Sequence, residues 1–294
     1  MNILFTGAFE PLPEEKELLI QNGHTVFFHK NEREMPKSPE KYDAVVCNSL
    51  FFFNPIEPFA NLCKIQLTSA GLDRVPTEYI SEHKIKLFTA SGVYSKPMAE
   101  FAVSAILYFC KQTRFFEENQ KKHQWQKHRS LTELNGKNVC ILGCGDVGQE
   151  TARLFKAFGC HITGVNRTER KTDVFDEILP LEKLQSAAMK SDVFISCIAL
   201  TEQTRGIIGK DFFAFLKPDA IFVNISRGAI ADETALTEWL KSGGKAALDV
   251  FFKEPLFENS PLWDMPNVLL TPHNSFVGDG NRERLWKKIK ENLL

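Results

Sequence analysis

A glycine-spaced turn between a strand and a helix restricts this chain more than any other local pattern. The apolar run Asn138-Val-Cys-Ile-Leu142 ends at Gly143-Cys-Gly-Asp-Val-Gly148, and Ala152, Phe155 and Phe158 follow at helical spacing. Glycines in that spacing also occur in ordinary turns, so the flanking strand and helix carry the weight. In a βαβ unit of this kind Gly143 permits the tight turn, Gly145 lets backbone approach a pyrophosphate, and Gly148 lets the helix pack on the strand. The N–H groups of Asp146 and Val147, at the helix N-terminus, then face phosphate oxygens.

The next strand ends in Thr163-Gly-Val-Asn-Arg-Thr168, where a dinucleotide site places its ribose-binding residue. An aspartate or glutamate there accepts from the 2′-hydroxyl of NAD and repels a 2′-phosphate. Asn166, Arg167 and Thr168 offer no carboxylate but one guanidinium and two neutral polar groups, with Arg170 and Lys171 close behind, which suits NADP, with NAD as the alternative.

Short apolar runs alternate with helix-length segments on both sides of this turn. The spacing predicts strands near 2–6, 24–29, 43–48, 64–68 and 86–89, with a helix at 14–21, and then six more strands near 138–142, 161–165, 193–198, 221–225, 246–250 and 268–270. Strand–helix alternation implies parallel sheets. The segment 98–110 is apolar on nearly every face and reads as a buried helix bridging two bodies. The stretch 117–134, polar and basic around Trp125, lacks helical periodicity and reads as an arm or linker, while 281–294 aligns Leu285, Ile289 and Leu293 as an amphipathic helix. The fold class expected is α/β, with two doubly wound parallel-sheet domains: a Rossmann nucleotide-binding domain over 98–274 inserted into a flavodoxin-like substrate domain formed by 1–97 and 275–294.

At 294 residues a chain has reached the size at which one core gives way to two, and 43% apolar residues suffice to fill both. A net charge of −1, from 36 basic and 37 acidic residues, provides no overall field for nucleic acid or an anionic membrane. Cys47, Cys63, Cys110, Cys140, Cys144, Cys160 and Cys197 form no C-x-x-C pair and lie mostly in apolar runs, so they read as reduced core thiols, and no metal site is expected. The first residues, M-N-I-L-F-T-G, read as a strand, not a signal peptide. These features together predict a cytoplasmic protein that does not span a membrane.

Downstream of the glycine turn stand Arg227 in N-I-S-R-G, Glu254 in D-V-F-F-K-E-P and His273 in T-P-H. Reducing a 2-oxo acid requires a cation for the carboxylate, an acid for the carbonyl oxygen and an anion to keep that acid protonated. The three residues can fill those roles in order. With Leu67-Thr-Ser-Ala-Gly-Leu-Asp73, Met98-Ala-Glu-Phe101, Leu134-Asn-Gly-Lys-Asn138, Leu200-Thr-Glu-Gln-Thr204 and Asn224-Ile-Ser-Arg-Gly228, the chain resembles almost end to end the D-isomer-specific 2-hydroxyacid dehydrogenase family, with its glyoxylate/hydroxypyruvate reductases and phosphoglycerate dehydrogenases.

That resemblance implies an NAD(P)-dependent 2-oxoacid reductase acting on a small 2-oxo or 2-hydroxy acid. It assigns Arg227 to the substrate carboxylate and carbonyl, His273 to general acid/base work and Glu254 to holding the protonated ring. Asp249 matches an acidic residue near the nicotinamide carboxamide, and Thr204 falls within a matched cofactor-side segment. Ser69, Ala70, Gly71 and Leu72 match a loop whose N–H groups face the substrate carboxylate, and closure of the two domains is expected to bring it to Arg227. The resemblance also implies a homodimer. Three positions depart from the family pattern: Asn166 replaces a common aspartate, Ala199 a common proline, and Asn274-Ser-Phe276 the usual small apolar residues after the histidine. The run Phe51-Phe-Phe53 lies where relatives shape the substrate mouth, and core packing is an equal reading of it. No additional C-terminal regulatory domain is expected. The alternative function on the same fold is a dinucleotide-sensing binding protein or co-repressor.

Overall fold

The structure is a computed structural model, and it describes residues 1–168 and 172–294. Two compact units divide the chain: Met1–Val93 with Asp279–Leu294, and Tyr94–Gly278.

In the first unit β1 (Asn2–Thr6), β2 (Thr25–His29), β3 (Ala44–Cys47), β4 (Lys64–Leu67) and β5 (Lys86–Phe88) form a wholly parallel sheet in the order β2-β1-β3-β4-β5. This is the flavodoxin-like order, whose switch point lies between β1 and β3. The central strands are buried on both faces, as Ala44, Val45, Val46 and Cys47 show, because helices cover each side of a parallel sheet. α1 (Pro13–Gln21), α2 (Leu50–Phe53) and α3 (Thr77–Glu82) connect them. The Phe51–Phe53 run divides: Phe51 is buried against Phe59, whereas Phe52 and Phe53 are exposed.

In the second unit α4 (Ser95–Cys110) and α5 (Thr113–Lys121) precede β6 (Asn138–Leu142), α6 (Asp146–Ala157), β7 (His161–Asn166), β8 (Glu177–Pro180), α7 (Leu184–Lys190), β9 (Val193–Ser196), α8 (Lys210–Phe215), β10 (Ile221–Asn224), α9 (Glu233–Lys241), β11 (Lys245–Leu248) and β12 (Val268–Leu270). Its sheet is parallel, ordered β12-β11-β10-β9-β6-β7-β8, a doubly wound order that reverses between β6 and β9. The sheet has seven strands where six are expected. The extra one, β8, is a four-residue edge strand ending in Pro180, too short and too mixed to read by periodicity. The stretch 117–134 also needs correcting, since its first residues lie in α5, which begins four residues earlier. The helix is polar apart from Phe115 and Phe116 and is supported by an Arg114–Glu118 pair at 3.1 Å, so a window opening at 117 misses its start. Of the seven thiols, Cys63 is exposed and Cys197 half-buried, while the other five are buried and none is in a disulfide.

The last helix, α10 (Asn281–Leu293), belongs to the first unit and buries Leu285, Ile289 and Leu293. Two polar contacts tie its end to β4: Asn292 Nδ2 donates to the buried Gln66 Oε1 at 2.7 Å, and Lys64 Nζ to the Asn292 carbonyl at 3.1 Å. At its start Arg282 donates from both terminal nitrogens to Glu15, at 2.8 Å each, and lies over the Phe9 ring. Glu15 is buried and also accepts from the Leu12 amide at the start of α1. Arg282→Met strands that carboxylate, and the first unit is expected to lose about 1–3 kcal/mol. Chemical denaturation with a probe in this unit measures it, and an unchanged midpoint contradicts the account.

Candidate active site

The strands of the second unit deliver the chemistry-bearing residues at their carboxyl ends. β6 leads into Gly143, whose φ of +97° lies in the left-handed region and whose absent side chain leaves room for the Cys197–Ile198 backbone; an added Cβ would stand 2.7 Å from the Ile198 nitrogen. A Cβ on Gly148 would collide with the Gly143 carbonyl, so helix and turn approach this closely only because residue 148 is glycine. Gly145 differs: a Cβ there meets nothing within 4 Å, so the space beside it is open. Gly145 caps α6 without a side chain, and the amides of Val147 and Gly148 donate to no acceptor among the described residues. Asp146 begins the helix beside them. Two undirected amides, the helix dipole and a vacant face over a glycine fit the pyrophosphate of a dinucleotide.

At the end of β7 the Asn166 side chain is turned inward on its own loop. Its Nδ2 donates to the Thr168 carbonyl at 2.8 Å and its Oδ1 accepts from the Cys144 amide at 3.5 Å. Asn166 thus joins the glycine turn to the 166–168 loop, and Arg167 and Thr168 are left exposed. Arg170 and Lys171 lie outside the described residues. Thr204 is buried and closes the loop after β9: its hydroxyl donates to the Ala199 carbonyl at 2.8 Å and accepts from the Thr201 amide at 2.8 Å.

Arg227, Glu254 and His273 follow β10, β11 and β12, three adjacent strands. Asn224 organises the first loop, with its Oδ1 accepting from the Ser226 amide and hydroxyl and its Nδ2 donating to the Arg227 carbonyl at 3.1 Å. The guanidinium Nη1 donates to the Ser226 carbonyl at 2.8 Å. Gly228 carries a steric demand of its own: a Cβ there would fall on the backbone of Phe251 and Phe252. At Gly228 the arginine loop and the loop leading to Glu254 meet backbone to backbone.

Glu254 Oε1 accepts from the Phe251 amide at 3.0 Å, closing its own turn, and Oε2 stands 2.8 Å from His273 Nδ1. Facing a carboxylate, Nδ1 must carry the proton, so Nε2 is the atom directed elsewhere, and it has no partner among the described residues. Both side chains are about one-third exposed, at 34% for His273 and 36% for Glu254. His273 has a φ of +53°, a conformation few non-glycine residues adopt, and it is held there by its amide, which donates to the Asp249 carbonyl at 2.7 Å. The Asp249 carboxylate is fully buried and accepts from the Thr271 hydroxyl (2.6 Å), the Asn274 amide (2.7 Å) and the Ser275 amide (3.0 Å). Its visible work is to fix the loop that carries the histidine. Phe276 turns its ring edgewise to the His273 imidazole at 6.0 Å and is itself met edgewise by Tyr94 at 5.8 Å. Burial pushes the Tyr94 hydroxyl above the usual phenol range.

In the first unit the 69–72 loop follows β4. The Ser69 carbonyl accepts from the Ala90 amide at 2.9 Å, and the amides of Ala70, Gly71 and Leu72 donate to nothing among the described residues. Burial raises the Cys160 thiol to about 11 and that of Cys197 to about 12 in the second unit, and raises Cys47 in the first. Among the described residues no group of three His, Cys, Asp or Glu side chains could hold a metal ion, and no helix is long and apolar enough to cross a membrane.

A glycine turn with room for a pyrophosphate at the sheet reversal, and a carboxylate-held imidazole on the same strand ends, form an arrangement that fits a nicotinamide-dependent oxidoreductase. Residues 103–275 match the family described as "D-isomer specific 2-hydroxyacid dehydrogenase, NAD binding domain". A glyoxylate reductase from Thermococcus gammatolerans is 32% identical, over 96% of this chain and 90% of that protein. A hydroxypyruvate reductase from Thermotoga maritima is also 32% identical, over 90% and 89%. Among solved structures, a D-isomer specific 2-hydroxyacid dehydrogenase from Xanthobacter autotrophicus Py2, in complex with NADPH and MES, superposes with a TM-score of 0.79 at 26% identity, covering 99% of this chain and 93% of that one. The chain belongs to the D-isomer-specific 2-hydroxyacid dehydrogenase family and is an NAD(P)-dependent enzyme of that class.

Proposed function

We propose that the protein reduces a small 2-oxo acid to the D-2-hydroxy acid with NADP(H), using Arg227, Glu254 and His273. The observation that carries this reading is the 2.8 Å contact between His273 Nδ1 and Glu254 Oε2, which leaves Nε2 as the proton-delivering atom. When bound, the reduced nicotinamide supplies the hydride that reaches the carbonyl carbon. His273 Nε2 gives its proton to the carbonyl oxygen as negative charge develops there, and Glu254 stabilises the ring while it is charged. Arg227 holds the substrate carboxylate through its planar fork and polarises the carbonyl. The amides of Ala70, Gly71 and Leu72, with Ser69, are the proposed carboxylate contact from the first unit, which we read as the substrate domain. Gly143, Gly145, Asp146, Val147 and Gly148 hold the pyrophosphate. Thr204 and Asp249 act on the cofactor and catalytic loops by fixing their shape.

The preference for NADP rests on Asn166 and Arg167: the first removes a carboxylate that would repel a 2′-phosphate, and the second adds an exposed cation beside it. The NADPH in the Xanthobacter relative agrees with this reading. We expect kcat/KM with NADPH to exceed that with NADH by at least about tenfold, near 1.4 kcal/mol. Arg167→Ala should raise KM for NADPH and hardly move that for NADH. Equal or reversed preference in steady-state assays overturns the assignment. A cytoplasmic homodimer completes the proposal, with sedimentation velocity as the check on its oligomeric state.

A further inference from the structure

The first unit contains a cavity of about 690 Å³ at the carboxyl ends of β1, β2 and β3. It lies at the switch point of the sheet, where doubly wound folds bind ligands. A two- or three-carbon acid would fill only a small part of it. Gly7 is what lets its wall form, since a Cβ there would strike the Lys30 carbonyl and force the ends of β1 and β2 apart. The cavity adjoins the 69–72 loop in sequence, because Asp73 and Arg74 come next and line it.

Three cations face this space: Lys30, Arg33 and Arg74. Lys30 makes no ion pair among the described residues. The Arg33 guanidinium lies over the exposed Phe53 ring at 5.1 Å, so its orientation is set without an anion. Arg74 Nη1 donates to the Ser49 hydroxyl at 3.1 Å, and Arg74 Nε stands 4.0 Å from Asp73 Oδ2. Of the two acids lining the cavity, Glu32 is committed elsewhere. Its carboxylate accepts from the Thr6 hydroxyl at 2.6 Å and from the Asn48 and Ser49 amides at 2.7 Å each. Phe52, also exposed, supplies a second apolar ring beside Phe53.

We propose that this cavity receives the far end of the substrate, and that the substrate is a 2-oxo acid carrying a second anionic group, carboxylate or phosphate, on a short hydrocarbon chain. The inference rests on the proposed reductase reading, with the 69–72 amides on the 1-carboxylate. Phe52 and Phe53 pack against the methylenes, while Arg33, Arg74 and Lys30 meet the terminal anion. A neutral tail would leave those cations unmet, and glyoxylate would leave the whole space unfilled.

The test compares kcat/KM of the full-length enzyme with NADPH for 2-oxoglutarate and 3-phosphooxy-2-oxopropanoate against 2-oxopentanoate, of equal length to the first, and phenylpyruvate. At least one anionic-tailed acid should exceed both neutral ones by tenfold or more, and which one wins separates carboxylate from phosphate. In the double variant Arg33→Ala/Arg74→Ala that ratio should fall to near one through KM of the anionic acid. A neutral acid equal to or better than both anionic ones, or a ratio unchanged in the double variant, overturns the proposal. Calorimetric binding of 2-oxoglutarate provides a readout independent of turnover. Saturable binding lost in the double variant supports the cavity even if no acid is reduced, in which case the reductase reading alone fails. Binding equal in both proteins overturns the cavity assignment.

Discussion

Replacing His273 by glutamine is expected to lower kcat for the best 2-oxo acid by about 10²- to 10⁴-fold, the usual worth of a positioned general acid. Glutamine can reach toward the same carbonyl oxygen but has no proton to give as the oxygen becomes an alkoxide. The loss should fall on kcat, since substrate binding is assigned to Arg227 and the 69–72 amides, and NADPH affinity should stay near the parent value. Glu254→Gln should be milder: the ring keeps a hydrogen-bond partner at Nδ1, because the amide oxygen can still accept, but loses the anion that steadies it while charged. Arg227→Ala should raise KM for the oxo acid as well as lower kcat. Single-turnover kinetics at saturating NADPH measure these effects, and near-normal turnover in His273→Gln removes the proton relay from the account.

Gly228→Ala should be the most damaging change that touches no reacting group. The added methyl falls on the Phe251 and Phe252 backbone, which has no flexible side-chain end to swing aside, so one of two loops must move. One loop carries Arg227, and the other leads into the turn closed by the Phe251 amide on Glu254. Overpacking a fixed contact costs about 1–3 kcal/mol, occasionally more, and displacing a catalytic group by an ångström costs on the order of 100-fold in rate. A protein that folds should therefore show a lowered melting temperature and a kcat reduced by about two orders of magnitude. Parent-like values in both would mean that the backbone approach is not needed.

Local patterns disclosed what depends on local physics. The glycine turn was readable because each glycine answers a steric demand of the strand–turn–helix unit, and the demands at Gly143 and Gly148 are present in the structure. The strands were readable as apolar runs because parallel sheets bury both faces. The elements that escaped are those whose stability comes from neighbours: β8, a short edge strand, and the start of α5, whose few apolar residues are two adjacent phenylalanines. Residue roles set by long-range hydrogen bonds were also hidden. Nothing in D-V-F-F indicates that Asp249 spends its carboxylate on a loop more than twenty residues away, or that Thr204 and Asn166 turn back on their own loops. Gly228 could have been suspected, because a glycine after a candidate substrate-binding arginine invites the question of what approaches it. Its partner is a backbone segment more than twenty residues distant, which only the fold reveals.

The most direct test of the central claim is the NADPH-dependent reduction of a panel of 2-oxo acids, with chiral analysis of the product, run in parallel on the parent protein and on His273→Gln. The account predicts steady turnover of at least one acid to the D-2-hydroxy acid by the parent, with NADPH preferred over NADH, and a loss of about 100-fold or more in the variant despite unimpaired NADPH binding. Tight NADPH binding with no turnover of any acid by the parent, or equal turnover by the two proteins, would contradict it.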